Sequence, residues 1–155
     1  MIDDRTFRDA LGRLATGITV VSVAAPGRPH GITVNAFLSL SLDPRLVGVA
    51  IDRRAGAHDV LDRAERYGVS LLTREQRELS DLFAGRPVDI LPEWAWLDRV
   101  PVLDGALAQL ACRIVDRHPV GDHTLFVGEV EAAVTRDAAP LLYHRGRYGR
   151  YLNED

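Results

Sequence analysis

Lysine is absent from this chain of 155 residues, so all 19 of its basic residues are arginines. Schiff-base chemistry on a lysine is therefore excluded, and cationic contacts to phosphate must come from arginine or a protonated histidine. The formal net charge of −3 predicts no overall attraction to nucleic acid or to an anionic membrane. The one cysteine, Cys112, cannot form an intrachain disulfide, and its place in an apolar alternating run predicts a buried structural thiol.

Other patterns are missing too. No apolar run approaches the roughly 20 residues of a membrane span, and the N-terminus lacks the apolar segment of a signal peptide. We therefore expect a soluble, cytoplasmic protein that binds neither membrane nor nucleic acid. No Gly-x-Gly-x-x-Gly follows a predicted strand, so a Rossmann dinucleotide fingerprint is absent. The five histidines show no metal-ligand spacing, and no metal site is expected.

The most regular pattern lies in residues 31–42, which alternate between apolar and polar side chains. The apolar positions are Ile32, Val34, Ala36, Leu38, Leu40 and Leu42. The polar positions are Thr33, Asn35, Ser39 and Ser41, and only Phe37 interrupts them. This period of two predicts one strand whose apolar face packs inward.

The polar row of this predicted strand carries no long charged side chain, unlike most solvated strand faces. A nearly all-apolar run follows at residues 46–51 and ends in Asp52-Arg53-Arg54. Short donors and acceptors followed by an arginine pair suit a flat heteroaromatic ring joined to a phosphate. The pattern alone leaves ligand binding and a plain half-exposed strand as open alternatives.

The rest of the chain predicts one mainly antiparallel β-barrel domain over residues 1–155, with two or three helices outside it. Further strands are predicted at residues 19–24, 46–51, 69–73, 106–116, 123–135 and 141–144. Helices are predicted from Asp3 or Asp4 to Gly17, between Arg54 and Gly68, and over residues 74–84. In the first helix, Phe7, Ala10, Leu11 and Leu14 fall at helical spacing. Residues 85–101 are expected to be irregular, with Trp94 and Trp96 in a barrel plug, a dimer interface or a wall of the ligand cleft.

Five segments, in order along the chain, resemble the short-chain flavin reductases, which are the small component of two-component flavin-dependent monooxygenases. They are Phe7 to Thr19, Thr33 to Pro44, Phe83-Ala84-Gly85, Gly121 to Val130 and Pro140 to Tyr148. The resemblance implies an antiparallel split β-barrel of the FMN-binding type, and a homodimer in which two subunits share the sites.

The resemblance also implies roles for particular residues. It places the flavin ring at Thr33, Val34, Asn35 and Ala36. It places the flavin phosphate at Ser39, Ser41 and the segment Asp52, Arg53 and Arg54. Phe83, Ala84 and Gly85 would approach the distal end of the flavin, and Arg147 and Tyr148 would close the site. His123 would hold the nicotinamide, with Asp122 setting its tautomer.

The implied activity is that of an NADH-dependent flavin reductase, which transfers hydride to FAD or FMN and supplies reduced flavin to a separate monooxygenase. The cofactors carry this chemistry, so no residue is expected to act as an acid or base. Two alternatives remain open: a flavoprotein that holds its flavin tightly and reduces another acceptor, and a non-catalytic flavin-binding protein. The sequence departs from the family at Arg45, where a second proline is common, and in the loop from Arg86 to Leu97.

Overall fold

The computed structural model describes residues 1–153 and is built mainly from antiparallel strands, with three helices. The helices are α1 (Asp4–Gly12), α2 (Gly56–Arg63) and α3 (Arg77–Phe83), and a 3₁₀ turn, Arg74–Gln76, leads into α3. The strands are β1 (Thr16–Gly17), β2 (Thr19–Val23), β3 (His30–Val34), β4 (Phe37–Leu42), β5 (Arg45–Asp52), β6 (Arg66–Leu71), β7 (Trp94–Leu97), β8 (Val100–Leu103), β9 (Ala108–Val120), β10 (His123–Thr135), β11 (Leu142–His144) and β12 (Arg147–Gly149). The predicted mainly antiparallel class is confirmed.

Seven of the strands form one sheet in the order β3-β2-β6-β9-β10-β5-β4. Its two edge strands, β3 and β4, are neighbours in sequence and are separated only by Asn35 and Ala36. A link of this length spans at most about 11 Å from Val34 to Phe37. The sheet must therefore curl until its edges meet at this link. A hydrogen bond of 3.1 Å from the Ala50 amide to the Ala36 carbonyl fixes the link to β5.

The prediction of one continuous strand over residues 31–42 is wrong. The chain leaves one edge of the sheet at Val34 and enters the opposite edge at Phe37. The predicted inward face is also wrong for β4, where Leu38, Leu40 and Leu42 are 49%, 44% and 85% exposed. Alternation shows that each strand has two unlike faces, but it cannot show which face the curled sheet turns outward. An irregularity in the pairing between Ser39 and Ser41 further shifts the register of β4.

The main core fills the inside of the curled sheet. Tyr67 and Phe126 are fully buried there, together with valines of β2, β5 and β6. Cys112 belongs to this core as a free thiol, and burial raises its pKa to about 12. The prediction of a structural cysteine is confirmed, because such a thiol stays protonated and inaccessible.

The first helix has a confirmed start and a wrongly predicted end. The Asp3 carboxylate caps it by accepting a hydrogen bond of 2.7 Å from the Thr6 amide. The helix ends at Gly12, and Gly17 lies instead in β1. Its apolar residues Phe7 and Leu11 are more than half exposed, because no element within residues 1–153 covers them.

Two further segments differ from expectation. Gly68 lies inside β6 rather than ending a helix, since α2 stops at Arg63. The segment expected to be irregular contains the β7-β8 hairpin, and its Trp94 packs edge-to-face on Phe83 with ring centres 5.6 Å apart. Trp96 is 63% exposed. In contrast, β10 has the predicted bounds, residues 123–135. No helix within residues 1–153 is long and apolar enough to cross a bilayer.

Candidate functional site

Asn35 stands where the two edges of the sheet meet, and the backbone on either side of it is held in place. The Thr19 hydroxyl donates a hydrogen bond of 2.7 Å to the Val34 carbonyl, and Ala36 accepts the bond from Ala50. Within residues 1–153, the Asn35 side-chain amide itself makes no hydrogen bond. Its donor and acceptor groups are therefore available to a ligand.

Two clefts share Asn35 as part of their wall. The first, here called the polar cleft, has a volume of about 170 Å³ and is lined by Ile18, Thr33, Asn35, Ser80, Ala84, Arg86, Tyr143 and Tyr148. The second, the apolar cleft, has a volume of about 350 Å³ and includes Ile18, Asn35, Phe37 and Leu141 in its lining. A flat ring at Asn35 can thus meet polar groups on one side and apolar groups on the other.

A hydrogen-bonded latch forms one wall of the polar cleft. The Tyr148 hydroxyl donates to the Asp81 carboxylate at 2.6 Å and lies 3.0 Å from the Ser80 hydroxyl. Arg86 donates to the same carboxylate oxygen at 2.7 Å. Burial raises the pKa of Tyr148, and the neighbouring Asp81 raises it further. The latch ties the C-terminal hairpin, β11 and β12, to helix α3.

The other wall of the polar cleft is strand β3, which α3 covers. The Thr33 hydroxyl donates a hydrogen bond of 2.7 Å to the Ser80 carbonyl, so its proton is already committed and only its lone pairs remain for a ligand. The guanidinium of Arg77 lies 4.7 Å from the centre of the Tyr148 ring. This cation–π contact holds the ring from the side of the helix.

A second group of polar residues, here called the arginine turn, comprises Asp52, Arg53, Arg54, Asp122 and His123. His123 pairs with Asp52 across β10 and β5, and the Arg53 amide donates to the Asp122 carbonyl at 3.0 Å. The Arg53 side chain also donates to the Gly121 carbonyl. The arginine turn begins two residues beyond Ala50, a rise of roughly 6–7 Å along β5 from the residue that is hydrogen-bonded to the link.

Both carboxylates of the arginine turn have a side-chain partner within the turn. The Arg54 side chain donates two hydrogen bonds, of 2.9 and 3.2 Å, to the Asp52 carboxylate. These hydrogen bonds lower the pKa of Asp52. His123 Nδ1 lies 2.7 Å from an Asp122 carboxylate oxygen, which lowers the pKa of Asp122. Each guanidinium has five N–H groups, so both arginines keep donors for an anion.

Sequence reasoning missed a buried support for this turn. His58 Nε2 lies 2.8 Å from the Thr124 hydroxyl, and the His58 ring packs edge-to-face against Phe126. This contact fixes the start of β10 beside His123. Sequence reasoning also missed Ser80, Arg86 and Tyr143 in the lining of the polar cleft, and Asp81, which accepts the hydrogen bond from Tyr148. Their signal is weak in the sequence, because the latch joins residues 67 positions apart.

The structure brings some of the expected site residues together and separates others. Thr33, Asn35, Ala84 and Tyr148 line the polar cleft, and Asp52, Arg53, Arg54 and His123 form the arginine turn. Ser39 and Ser41 pair with Val47 and Leu46 of β5, at the end opposite to Asp52. They therefore lie roughly 17–20 Å along the strand from the arginine turn, too far to share one phosphate with it in a single chain.

The remaining expected site residues lie around these two places. Val34 is buried in the main core, and Ala36 is exposed at the link. Phe83 packs over Gly31, where an added Cβ would lie 2.7 Å from its ring. Gly85 follows α3 with a φ of +78°, a left-handed conformation suited to glycine. Arg147 is exposed and borders a separate surface cavity with His144 and Arg145.

No group of three or more histidine, cysteine, aspartate or glutamate side chains within residues 1–153 is placed to hold a metal ion. What the site offers is an exposed amide, two tyrosine rings and a cluster of arginine donors. These features define a site for a flat polar ligand that carries an anionic group.

Comparison with known proteins gives the family. The Flavin reductase like domain matches residues 11–151, and the chain belongs to this family. It is similar to an FMN reductase (NADH), SmoA, of Agrobacterium fabrum, at 41% identity over 98% of this chain and 88% of that protein. It is also similar to the reductase component of a 4-hydroxyphenylacetate 3-monooxygenase of Thermus thermophilus, at 41% identity over 94% of this chain and 95% of that protein. Among solved structures, the flavin reductase PheA2 superposes with a TM-score of 0.95 at 39% identity, covering 98% of this chain and 100% of that one.

We predict that removing the Tyr148 hydroxyl loosens the polar cleft. Tyr148→Phe deletes the donor to Asp81 and should lower the free energy of unfolding by about 1–2 kcal/mol, as expected for a partly exposed hydrogen bond to a charged group. Urea unfolding measures this change, and hydrogen exchange of β11 and β12 should become faster. Tyr143→Phe is the matched control, because the Tyr143 ring packs on Tyr148 but its hydroxyl makes no hydrogen bond within the described chain. Equal stability of the two variants would contradict a role for the latch.

Proposed function

We propose that the protein is an NADH-dependent flavin reductase that passes hydride to FAD or FMN and releases the reduced flavin to a separate flavin-dependent monooxygenase. The observation that carries this proposal is the likeness along nearly the whole chain to an NADH-dependent FMN reductase and to the reductase component of a monooxygenase. The polar cleft and the arginine turn of this chain fit the two ends of a flavin nucleotide.

The flavin ring lies at Asn35 in this proposal. The amide can pair with both donors and acceptors on the ring edge, and backbone groups near Val34 and Ala36 add fixed partners. Asn35 borders both the polar and the apolar cleft, whose volumes are about 170 and 350 Å³. Thr33 and Asn35 would hold the polar edge of the flavin ring, and Ile18 and Phe37 would offer it an apolar surface.

The phosphate of the flavin lies at the arginine turn. Arg53 and Arg54 have exposed guanidinium groups within reach of the Asn35 link, and charge-assisted hydrogen bonds to phosphate are strong. Asp52 and the Gly121 carbonyl orient the two guanidinium groups rather than contacting the phosphate. Ser39 and Ser41 lie on β4, which runs from the link toward the end of β5 opposite to the arginine turn. In this proposal they contact the bound nucleotides at a different place from the arginines.

The protein orients the reactants and moves no proton at the reacting atoms. Hydride passes directly from the nicotinamide to the flavin when the two are held in contact, and the protein supplies that geometry. His123 holds the nicotinamide next to the ring, and the hydrogen bond to Asp122 fixes the orientation of its imidazole. Tyr148, Arg147 and the segment Phe83-Ala84-Gly85 close the site.

The fold in this proposal is one split β-barrel domain over residues 1–155. The two-residue link between the edge strands β3 and β4 supports a barrel that closes at Asn35 and Ala36. The short sheet β1-β11-β12 would cover one opening of this barrel. A reductase that draws on the NADH pool of the cell acts in the cytoplasm, which is the location we propose.

The activity itself gives the direct test of the proposed function. We expect the purified protein to oxidise NADH only when FAD, FMN or riboflavin is added, and to use NADH faster than NADPH. Loss of NADH absorbance measures the rate, and each flavin is assayed separately. No flavin-dependent consumption of NADH at any flavin concentration would contradict the proposal. If the protein oxidises NADH slowly without added flavin, through a flavin that stays bound during gel filtration, the flavin is instead a tightly held prosthetic group.

We also propose that the protein is a homodimer. Two apolar surfaces of the single chain support this: the leucines of the edge strand β4, and the face of α1 that carries Phe7 and Leu11, with Leu14 two residues beyond the helix. A stable interface buries about 800 Å² on each partner, and exposed apolar surfaces of this kind mark such contacts.

A charge on β4 should therefore break the dimer. Leu38→Glu combined with Leu42→Glu places two carboxylates in the proposed interface, and light scattering at micromolar concentration should give the mass of a monomer. Leu91→Glu is the matched control, because Leu91 is 91% exposed on a loop away from β4. A monomeric mass for the unchanged protein, or a dimer that survives both substitutions on β4, would contradict the proposal.

A further inference from the structure

The histidine of α2 is buried, and hydride transfer as proposed above does not use it. His58 is 8% exposed, and its Nε2 lies 2.8 Å from the Thr124 hydroxyl. Its Nδ1 is buried and has no hydrogen-bond partner within residues 1–153, although the Asp59 carboxylate lies 3.5 Å away. A buried polar side chain costs stability unless its groups are bonded. A role beyond filling the core is therefore expected for His58.

The surroundings of the His58 ring determine how it bonds to Thr124. A neutral imidazole carries its proton on one nitrogen and accepts at the other. The Asp59 carboxylate favours the proton on Nδ1, which leaves Nε2 to accept the proton of the Thr124 hydroxyl. The edge-to-face contact with Phe126, with ring centres 5.6 Å apart, fixes the plane of the imidazole. The bond thus has a set direction and needs both side chains.

Thr124 and His123 are neighbours that face opposite sides of β10. Successive side chains of a strand alternate between its two faces. Thr124 is buried, whereas the side chain of His123 is 40% exposed. His58 therefore holds the inner side of the strand at the residue next to His123, and a shift of Thr124 relative to α2 moves the backbone of His123 with it.

The helix that carries His58 begins directly after the two arginines of the arginine turn. The Ala55 amide donates a hydrogen bond of 3.0 Å to the Asp52 carbonyl, and the His58 amide donates one of 2.9 Å to the Ala55 carbonyl. These two bonds join the arginine pair to the first turn of α2. The position of the arginines and the position of the imidazole are therefore linked.

The arginine turn is also closed on its other side. The Arg53 amide donates a hydrogen bond of 3.0 Å to the Asp122 carbonyl. Residues 52–58 and 122–124 thus form a closed ring of contacts, in which the bond between imidazole and threonine hydroxyl joins two buried side chains. A ligand that fixes one part of this ring restricts the other parts.

We propose that His58 and Thr124 are positioning residues that couple the binding of the flavin phosphate at the arginine turn to the placement of His123. This rests on the proposed function, which places the phosphate and the nicotinamide there. Phosphate bound by the arginines fixes the start of α2, and the His58–Thr124 bond passes this constraint to β10. A flavin with a phosphate therefore prepares the nicotinamide site better than riboflavin does. By linkage, nicotinamide binding tightens FMN by the same factor.

The KM for NADH, measured once with saturating riboflavin and once with saturating FMN, tests this coupling. In the unchanged protein, KM should be about five-fold lower with FMN. Thr124→Val keeps the shape of the side chain but removes its hydroxyl, so the KM with FMN should rise to the value with riboflavin. Thr124→Ser keeps the hydroxyl and should retain the difference. Equal KM values in the unchanged protein, or an undiminished difference in Thr124→Val, would overturn the proposal.

A matched control separates the coupling from a loss of stability. Ser22→Ala removes another buried hydroxyl, which donates to the Pro101 carbonyl from β2, a strand that pairs with neither β5 nor β10. Thr124→Val and Ser22→Ala should both lower the free energy of unfolding, because each loses a buried hydrogen bond. Only Thr124→Val should abolish the effect of the flavin phosphate on KM. Loss of that effect in both variants would overturn the proposal.

Fluorescence titration of the flavins in the presence of NAD⁺ measures the coupling without turnover. NAD⁺ should tighten FMN about five-fold more than it tightens riboflavin in the unchanged protein, and equally for both flavins in Thr124→Val. This result without any flavin-dependent oxidation of NADH would reject the proposed function alone. NADH oxidation with equal KM values for the two flavins, and an equal effect of NAD⁺ on both, would reject the coupling alone.

Discussion

The short connection between the two edges of the main sheet is the constraint on which the rest of the structure depends. Because only Asn35 and Ala36 join β3 to β4, the seven-stranded sheet has to curl until its edges are within the reach of two residues. Curling encloses Tyr67, Phe126 and the buried valines inside and turns the leucines of β4 outward. It also sets an amide with free hydrogen-bonding groups at the seam, where two clefts meet.

Two sets of contacts convert this seam into a shaped site. On one side, the Thr33 hydroxyl and the Tyr148–Asp81 latch bind β3 and the C-terminal hairpin to α3, and so define the polar cleft. On the other side, the arginine turn is stabilised from the interior of the curled sheet by the His58–Thr124 contact. The proposed ring-binding and phosphate-binding sites are thus held by different elements. A substitution in the polar cleft should change phosphate binding at the arginine turn only if it moves the Asn35 link. The same holds for a substitution in the arginine turn and ring binding at the polar cleft.

The sequence predicted those features that depend on neighbours along the chain. The bounds of β10 followed from its alternation after the Gly121-Asp122 turn, and the buried state of Cys112 from its place in an apolar run. The break at Asn35 was missed because the apolar positions keep their period of two across it, without glycine or proline. The latch was missed because it joins Asp81 to Tyr148 across 67 positions. The sequence of α1 has the pattern of a helix that packs on a core. Periodicity shows that one face is apolar, but it cannot show whether that face packs on the same chain or on another.

The central claim is that the Asn35 amide at the seam binds the flavin ring. Its most direct test is the dissociation constant of riboflavin, FMN and FAD for the Asn35→Ala variant, measured by quenching of flavin fluorescence, with urea unfolding as a check on folding. The account predicts that all three flavins weaken by a similar factor of about ten, because the lost hydrogen bonds are to the ring that they share. Unchanged affinity for all three in a normally folded variant, or a loss confined to FMN and FAD, would contradict it.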